Sequence, residues 1–228
     1  MKPNDIIVIM PTRGIMFTQV QNALDRELIT NQFLPTIIRT HDLPLPLSRN
    51  FLMESALKVP DWKYVLMLDD DVILPKGALK EMIGMNVDVA VMDYPMHVKY
   101  EGKGVGTIVH DKDKTVGYAG LGAVLVKREA IEKIPSPWFI CTQYKVNRSK
   151  DNQLVFGVGQ PDGQPMAHSA GEDTYFFLQC RKHGLKVKET KKTAVHAHLE
   201  QVVTMMHTNR YSRQHLVEKM DKIERESV

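Results

Sequence analysis

The 228-residue sequence predicts an α/β three-layer sandwich with a mixed, mostly parallel central sheet. Continuous apolar runs such as Ile6-Ile7-Val8-Ile9-Met10 lack alternation, which marks strands covered on both faces. Stretches with helical spacing stand between these runs, the pattern of βαβ connections. Apolar residues make up 43% and charged residues 25%, a balance that lets a chain of this length bury a core without disulfide staples.

The elements follow in order. Pro11-Thr12-Arg13-Gly14 closes the first strand, and Phe17, Val20, Leu24 and Leu28 then fall on one helical face. Pro35 to Arg39 forms a second strand, ended by Leu43-Pro44-Leu45-Pro46. A helix is predicted over 48–58, with Ser48 as N-cap and Phe51, Leu52, Ser55, Ala56 and Val59 on its buried side. Tyr64 to Leu68 is a strand, followed directly by Asp69-Asp70-Asp71. Pro75 opens a short helix reaching Met85, and Val87 to Met92 is another buried strand. Residues 97–118 are hairpin-like, and Gly120 to Val126 resumes as a strand. Residues 140–170 are rich in turn formers and predict a long loop of the lid type. Glu172 to His183 is a helix closed by Gly184, Val195 to Leu199 includes a short strand, and 212–226 is a charged helix.

Composition excludes several classes. Cys141 and Cys180 are far apart and outside any CxxC spacing, which argues against a zinc finger or a disulfide scaffold. No apolar run approaches about 18 residues, so a membrane-spanning helix is not expected. The apolar run near Met1 is too short for a secretory segment, and the expected compartment is the cytoplasm. Residues 181–228 are net basic and the rest slightly acidic. A solvated helical face explains that as well as an anionic partner does.

Three motifs carry the chemistry. Asp69-Asp70-Asp71 ends an apolar strand, where open α/β sheets bind their ligands. Strand alternation would put Asp69 and Asp71 on one face and Asp70 on the other. Crowded carboxylates repel, and a divalent cation with a taste for hard oxygen donors relieves them. Gly171-Glu172-Asp173 opens a helix, where carboxylates also suit the dipole. Val195-His196-Ala197-His198 offers imidazoles, whose nitrogen shifts preference from Mg2+ towards Mn2+.

The order Pro11-Thr12-Arg13, Arg49-Asn50, Asp69-Asp70-Asp71, Gly120-Leu121-Gly122, Pro137-Trp138-Phe139, Gly171-Glu172-Asp173 and His198 resembles glycosyltransferases of the GT-A (Rossmann-like) fold, similar to family 2-like members. The resemblance runs from about residue 5 to residue 200. It implies one catalytic domain over 1–200, with 1–95 as the nucleotide-binding half and 96–200 as the acceptor and catalytic half, then a basic helical tail over 201–228.

The resemblance also implies roles. Pro11, Thr12, Arg13, Arg49, Asn50, Asp69 and Asp70 would line the site of a nucleotide sugar, a UDP-sugar first among them. Asp69, Asp71 and, by position, His198 rather than His196 would hold the metal, Mn2+ ahead of Mg2+. Gly120 and Gly122 would let the donor sugar approach the backbone, and Trp138 would offer a ring for sugar stacking. Asp173, with Glu172 beside it, would act as catalytic base on an acceptor hydroxyl. A saccharide is the first acceptor to consider, and nucleic acid, through the basic tail, the second.

Three other readings compete. A sugar nucleotidyltransferase shares such a sheet but needs a glycine-rich loop, which Pro11-Thr12-Arg13-Gly14 does not supply. A nucleotide- or nucleic-acid-binding module could use the same fold. The segment Leu68 to Val72 also resembles an aspartyl-phosphate phosphatase motif, but that motif belongs on a first strand.

Overall fold

The computed structural model describes residues 2–12, 14, 16–41, 43–95, 106–141, 144–148, 154–158 and 171–197, with the backbone alone over 144–148 and 154–158. Arg13, His198 and the tail over 201–228 lie outside the described residues, as do parts of the 97–118 and 140–170 segments.

In chain order the elements are β1 (Ile6–Thr12), α1 (Thr18–Thr30), β2 (Thr36–His41), α2 (Leu45–Lys58), β3 (Tyr64–Leu68), β4 (Val72–Ile73), α3 (Ala78–Gly84) and β5 (Val89–Asp93). They continue with β6 (Val109–His110), β7 (Val116–Tyr118), β8 (Ala123–Lys127), α4 (Arg128–Lys133), β9 (Tyr144–Arg148), β10 (Leu154–Val158), α5 (Glu172–Lys182), β11 (Val187–Thr193) and β12 (Val195–His196). Six strands form the central sheet in the order β11-β5-β8-β3-β1-β2. Five run the same way; β8 alone is antiparallel, wedged between β5 and β3. The mixed, mostly parallel α/β sheet expected from the sequence is therefore the one observed.

Both faces of this sheet are covered, which explains the unbroken apolar runs. Ile6, Val8, Met10, Leu66 and Leu68 pack to one side with residues of α1 and α3. Ile7, Ile9, Val65 and Met67 pack to the other with residues of α2, α4 and α5. Period-2 alternation thus splits each strand between two cores. Each fully buried aliphatic side chain contributes about 1.5–3 kcal/mol.

Several boundaries differ from the sequence reading. Helix α2 starts at Leu45, not Ser48, because Pro46 is suited to a first turn. Ser48 consequently lies inside the helix, where its hydroxyl meets that of Thr40 rather than capping. The buried face rotates to Ser48, Arg49, Leu52, Met53 and Ala56, and Phe51 is left half exposed. The 140–170 segment is not loop throughout: β9 and β10 pair as an antiparallel hairpin, Leu154 opposite Arg148. Sequence reasoning also passed over α4 and β11.

Helix α3 is capped from elsewhere. Its N-cap, Gly77, has no side chain, and Glu27 of α1, fully buried, supplies the acceptors instead. The Glu27 carboxylate accepts from the N–H of Gly77 at 2.7 Å and of Leu79 at 3.0 Å. A negative charge at this end also suits the helix dipole. Glu27→Ala strands one buried and one partly buried donor and is expected to cost about 3 kcal/mol. Urea unfolding should show a lower midpoint, and Glu27→Gln, which keeps one acceptor oxygen, should lose about half as much.

Candidate functional site

The carboxyl edge of the sheet gathers side chains from distant parts of the chain. β1 ends in Pro11 and Thr12, β3 leads into Asp69, and β5 leads into Tyr94. Because β8 is antiparallel, its starting end reaches the same edge, where the N–H of Asp69 donates to the Gly122 carbonyl at 3.0 Å. A cavity of about 430 Å³ opens here, lined by Pro11, Thr12, Leu43, Leu45, Ser48, Asp69, Asp70, Asp71, Tyr94 and His196.

All three aspartates line this cavity, so strand alternation is not what sorts them. The strand stops at Leu68, and Asp70 and Asp71 occupy a turn before β4, freeing them from the pleat. Strand β4 then pairs with β12, His196 opposite Val72, and the N–H of Ala197 donates to the Asp71 carbonyl at 2.7 Å. This two-stranded ladder carries the imidazole to the acidic turn: His196 Nε2 lies 3.5 Å from Asp71 Oδ2. Thus His196, set second to His198 in the sequence reading, is the histidine that the described residues bring to Asp71.

Behind the cavity sits Arg49, 2% exposed. Its Nη2 donates to Asp69 Oδ1 at 2.8 Å, and its Nε is 3.5 Å from Glu172 Oε1. Burial opposes the charge on Arg49, but the Asp69 and Glu172 carboxylates outweigh it and hold the pKa above the ordinary arginine value. Burial pushes the Glu172 carboxyl above its ordinary value, with Arg49 only partly offsetting it. Asp173, the next residue, accepts from the Thr174 N–H at 2.7 Å through Oδ1.

Two predicted residues are turned to other uses. Asn50 is fully buried, and its amide is saturated by the backbone: Nδ2 donates to the carbonyls of Pro46 and Phe139, and Oδ1 accepts from the N–H groups of Trp138 and Phe139. It clamps α2 to the segment after the cis Ser136–Pro137 peptide and does not line the cavity. Trp138 is buried in the core, with its indole N–H donating to the Ile134 carbonyl at 2.9 Å, and presents no ring face to the cavity.

The glycines have a different physical reason from the expected sugar approach. A Cβ at Gly120 would collide with the Tyr94 hydroxyl. One at Gly122 would lie 2.8 Å from Asp69 Oδ2 and 2.9 Å from the Tyr94 oxygen. The absent side chains make room for Tyr94 and Asp69. Tyr94 itself escaped the sequence reading, although it stands at a strand's carboxyl end just as Asp69 does. Leu43 and Leu45 also escaped it, because the pattern around them reads only as a proline-rich loop.

No protein-family model matches the sequence, and no curated protein matches it. Solved structures do match. A197 from STIV is 18% identical, with 84% of this chain and 81% of that chain covered, at a TM-score of 0.50. A mutant Drosophila β-1,4-galactosyltransferase 7, solved as a complex with manganese, UDP-Gal and xylobiose, is 14% identical, with 93% and 79% covered, at a TM-score of 0.51. The chain has a GT-A-like fold. At these identities the likeness shows the fold alone.

The raised Glu172 pKa sets a pH dependence. A carboxyl whose pKa is higher in the folded than in the unfolded chain binds more protons when folded. Its contribution to stability therefore falls as pH rises from the ordinary glutamate value of 4.5 through the raised folded value. Glu172→Gln should flatten this part of a melting-temperature profile against pH. An unchanged slope would place the titration elsewhere.

Proposed function

We propose that this cleft is the active site of a metal-dependent glycosyltransferase that moves a sugar from a nucleoside-diphosphate sugar, a UDP-sugar by preference, to an acceptor hydroxyl. The observation that carries the reading is the gathering of Asp69, Asp70, Asp71 and His196 in one cavity, with Arg49 linking Asp69 to Glu172 behind it. Carboxylates outnumber cations there, so an anionic diphosphate would be repelled without a divalent ion.

The donor set suits such an ion, although among the described residues no three His, Cys, Asp or Glu side chains form a ready-made metal cluster. Asp71 and His196 would hold it, with His198 as a further candidate ligand and Asp69 kept in place by Arg49. When bound, the cation supplies neutralisation for the charge that builds on the departing diphosphate. Mixed oxygen and nitrogen donors favour Mn2+ over Mg2+.

The chain's own residues would do the rest. Pro11, Leu43 and Leu45 give the cavity an apolar side against which a flat nucleobase can lie, and Thr12 and Ser48 add hydroxyls. Asp173 takes the proton from the acceptor hydroxyl while that oxygen bonds to the anomeric carbon and the bond to the diphosphate breaks. Glu172, paired with Arg49, would tie the start of α5 to the wall behind the cleft. The Drosophila neighbour was solved with manganese, UDP-Gal and xylobiose, and the same ligand classes are proposed for this chain.

Thermal melting with Mn2+ and UDP tests the reading: stabilisation should require both together, whereas stabilisation by nucleic acid alone would favour a binding module. Asp173→Asn should lower transfer about 10²–10⁴-fold while leaving UDP binding within about twofold. Lost nucleotide binding in a folded variant would reassign the residue.

A further inference from the structure

We propose that Tyr94 is a positioning residue of the cation corner, holding the His196 imidazole in the orientation that presents Nε2 to Asp71. The inference rests on the reading of the cleft as a metal-assisted transferase site and goes beyond it by naming what aims the nitrogen ligand.

Strand β12 is two residues long, and its pairing with β4 fixes the backbone of His196 but not the rotation of its ring. Tyr94 adds a constraint on that rotation. The two rings stack with centroids 5.9 Å apart and planes 13° from parallel, within the range of favourable offset stacking. The phenol is itself anchored. Its oxygen accepts from the Gly122 N–H at 2.9 Å, and the same glycine's carbonyl receives the Asp69 N–H. At its other end the Tyr94 N–H donates to the Thr107 hydroxyl at 3.4 Å. Gly120 and Gly122 leave the space the phenol occupies. One aromatic side chain therefore connects β12, the start of β8 and the acidic turn after β3. Tyr94 lines the cavity while remaining almost wholly buried, so its ring is held in place on the side away from the ligand.

A role limited to filling space predicts that truncation weakens every ligand alike. A role in aiming the imidazole predicts a loss specific to ions that favour nitrogen. Mn2+ binding to the full chain can be followed through the electron paramagnetic resonance signal of free Mn2+, with Mg2+ as competitor. Tyr94→Leu should weaken Mn2+ binding about tenfold, the lower end for loss of an outer support, and leave Mg2+ binding within about twofold. Tyr94→Phe retains the ring and should keep most of the Mn2+ preference.

Equal weakening of both ions, or a preference that Tyr94→Leu leaves intact, overturns the inference while the metal-dependent reading stands. No Mn2+ binding by the unaltered chain removes that reading and this inference with it. Should Tyr94→Leu fail to fold, the tyrosine absorbance difference on adding Mn2+ decides. A band present in the unaltered chain and missing in Tyr94→Phe supports the assignment; the same band in both overturns it.

Discussion

The constraint on which the cleft depends is the crowding of carboxylates at the edge of an apolar sheet. Asp69 follows a fully buried strand, and Glu172 opens a helix that packs on the same core. For Glu172 burial favours protonation, and a nearby counter-charge offsets part of that cost. The Arg49 guanidinium provides that charge from α2, and its planar fork can serve two acids in two directions. Removing it would leave two partly buried carboxylates without their shared cation, which is more damaging than the loss of one ion pair suggests. The pairing also ties Asp69, beside the acidic turn, to the start of α5, so the two segments share a single brace.

Much of the architecture could be read from residue order because its causes are local. A strand buried on both faces must be apolar throughout, and an acidic triplet directly after one has few structural reasons to exist. Chain order singled out Asp69, Glu172 and Asp173; of these Asp69 lines the cavity and Glu172 pairs with Arg49. Asp71 meets an imidazole, that of His196, whereas the expected His198 lies outside the described residues.

What escaped detection had non-local causes. The buried face of α2 includes Ser48, Arg49 and Asn50, polar residues that a hydrophobic period assigns to solvent; it chose Phe51 instead. Asn50 looked like a ligand contact because nothing in its neighbourhood shows that the carbonyl of Phe139, 89 positions away, needs its amide. Gly120 and Gly122 signal close approach, but not by whom. The sheet answers that with Tyr94, which fills this space where the ends of β5 and β3 flank the start of β8. The β9–β10 hairpin was hidden by the turn formers around it, although Tyr144 and Val146 alternate with Lys145 and Asn147 in the manner of a strand.

The ladder between β4 and β12 has only two rungs, while the neighbouring central strands are stitched along most of their length. Its backbone pairing therefore resists opening less than that of the sheet behind it. Opening it would also lift Val195 and Ala197 from the core to which Val72 and Ile73 belong. A ligand gripping both sides of that seam would fasten it, so occupancy and local order would rise and fall together.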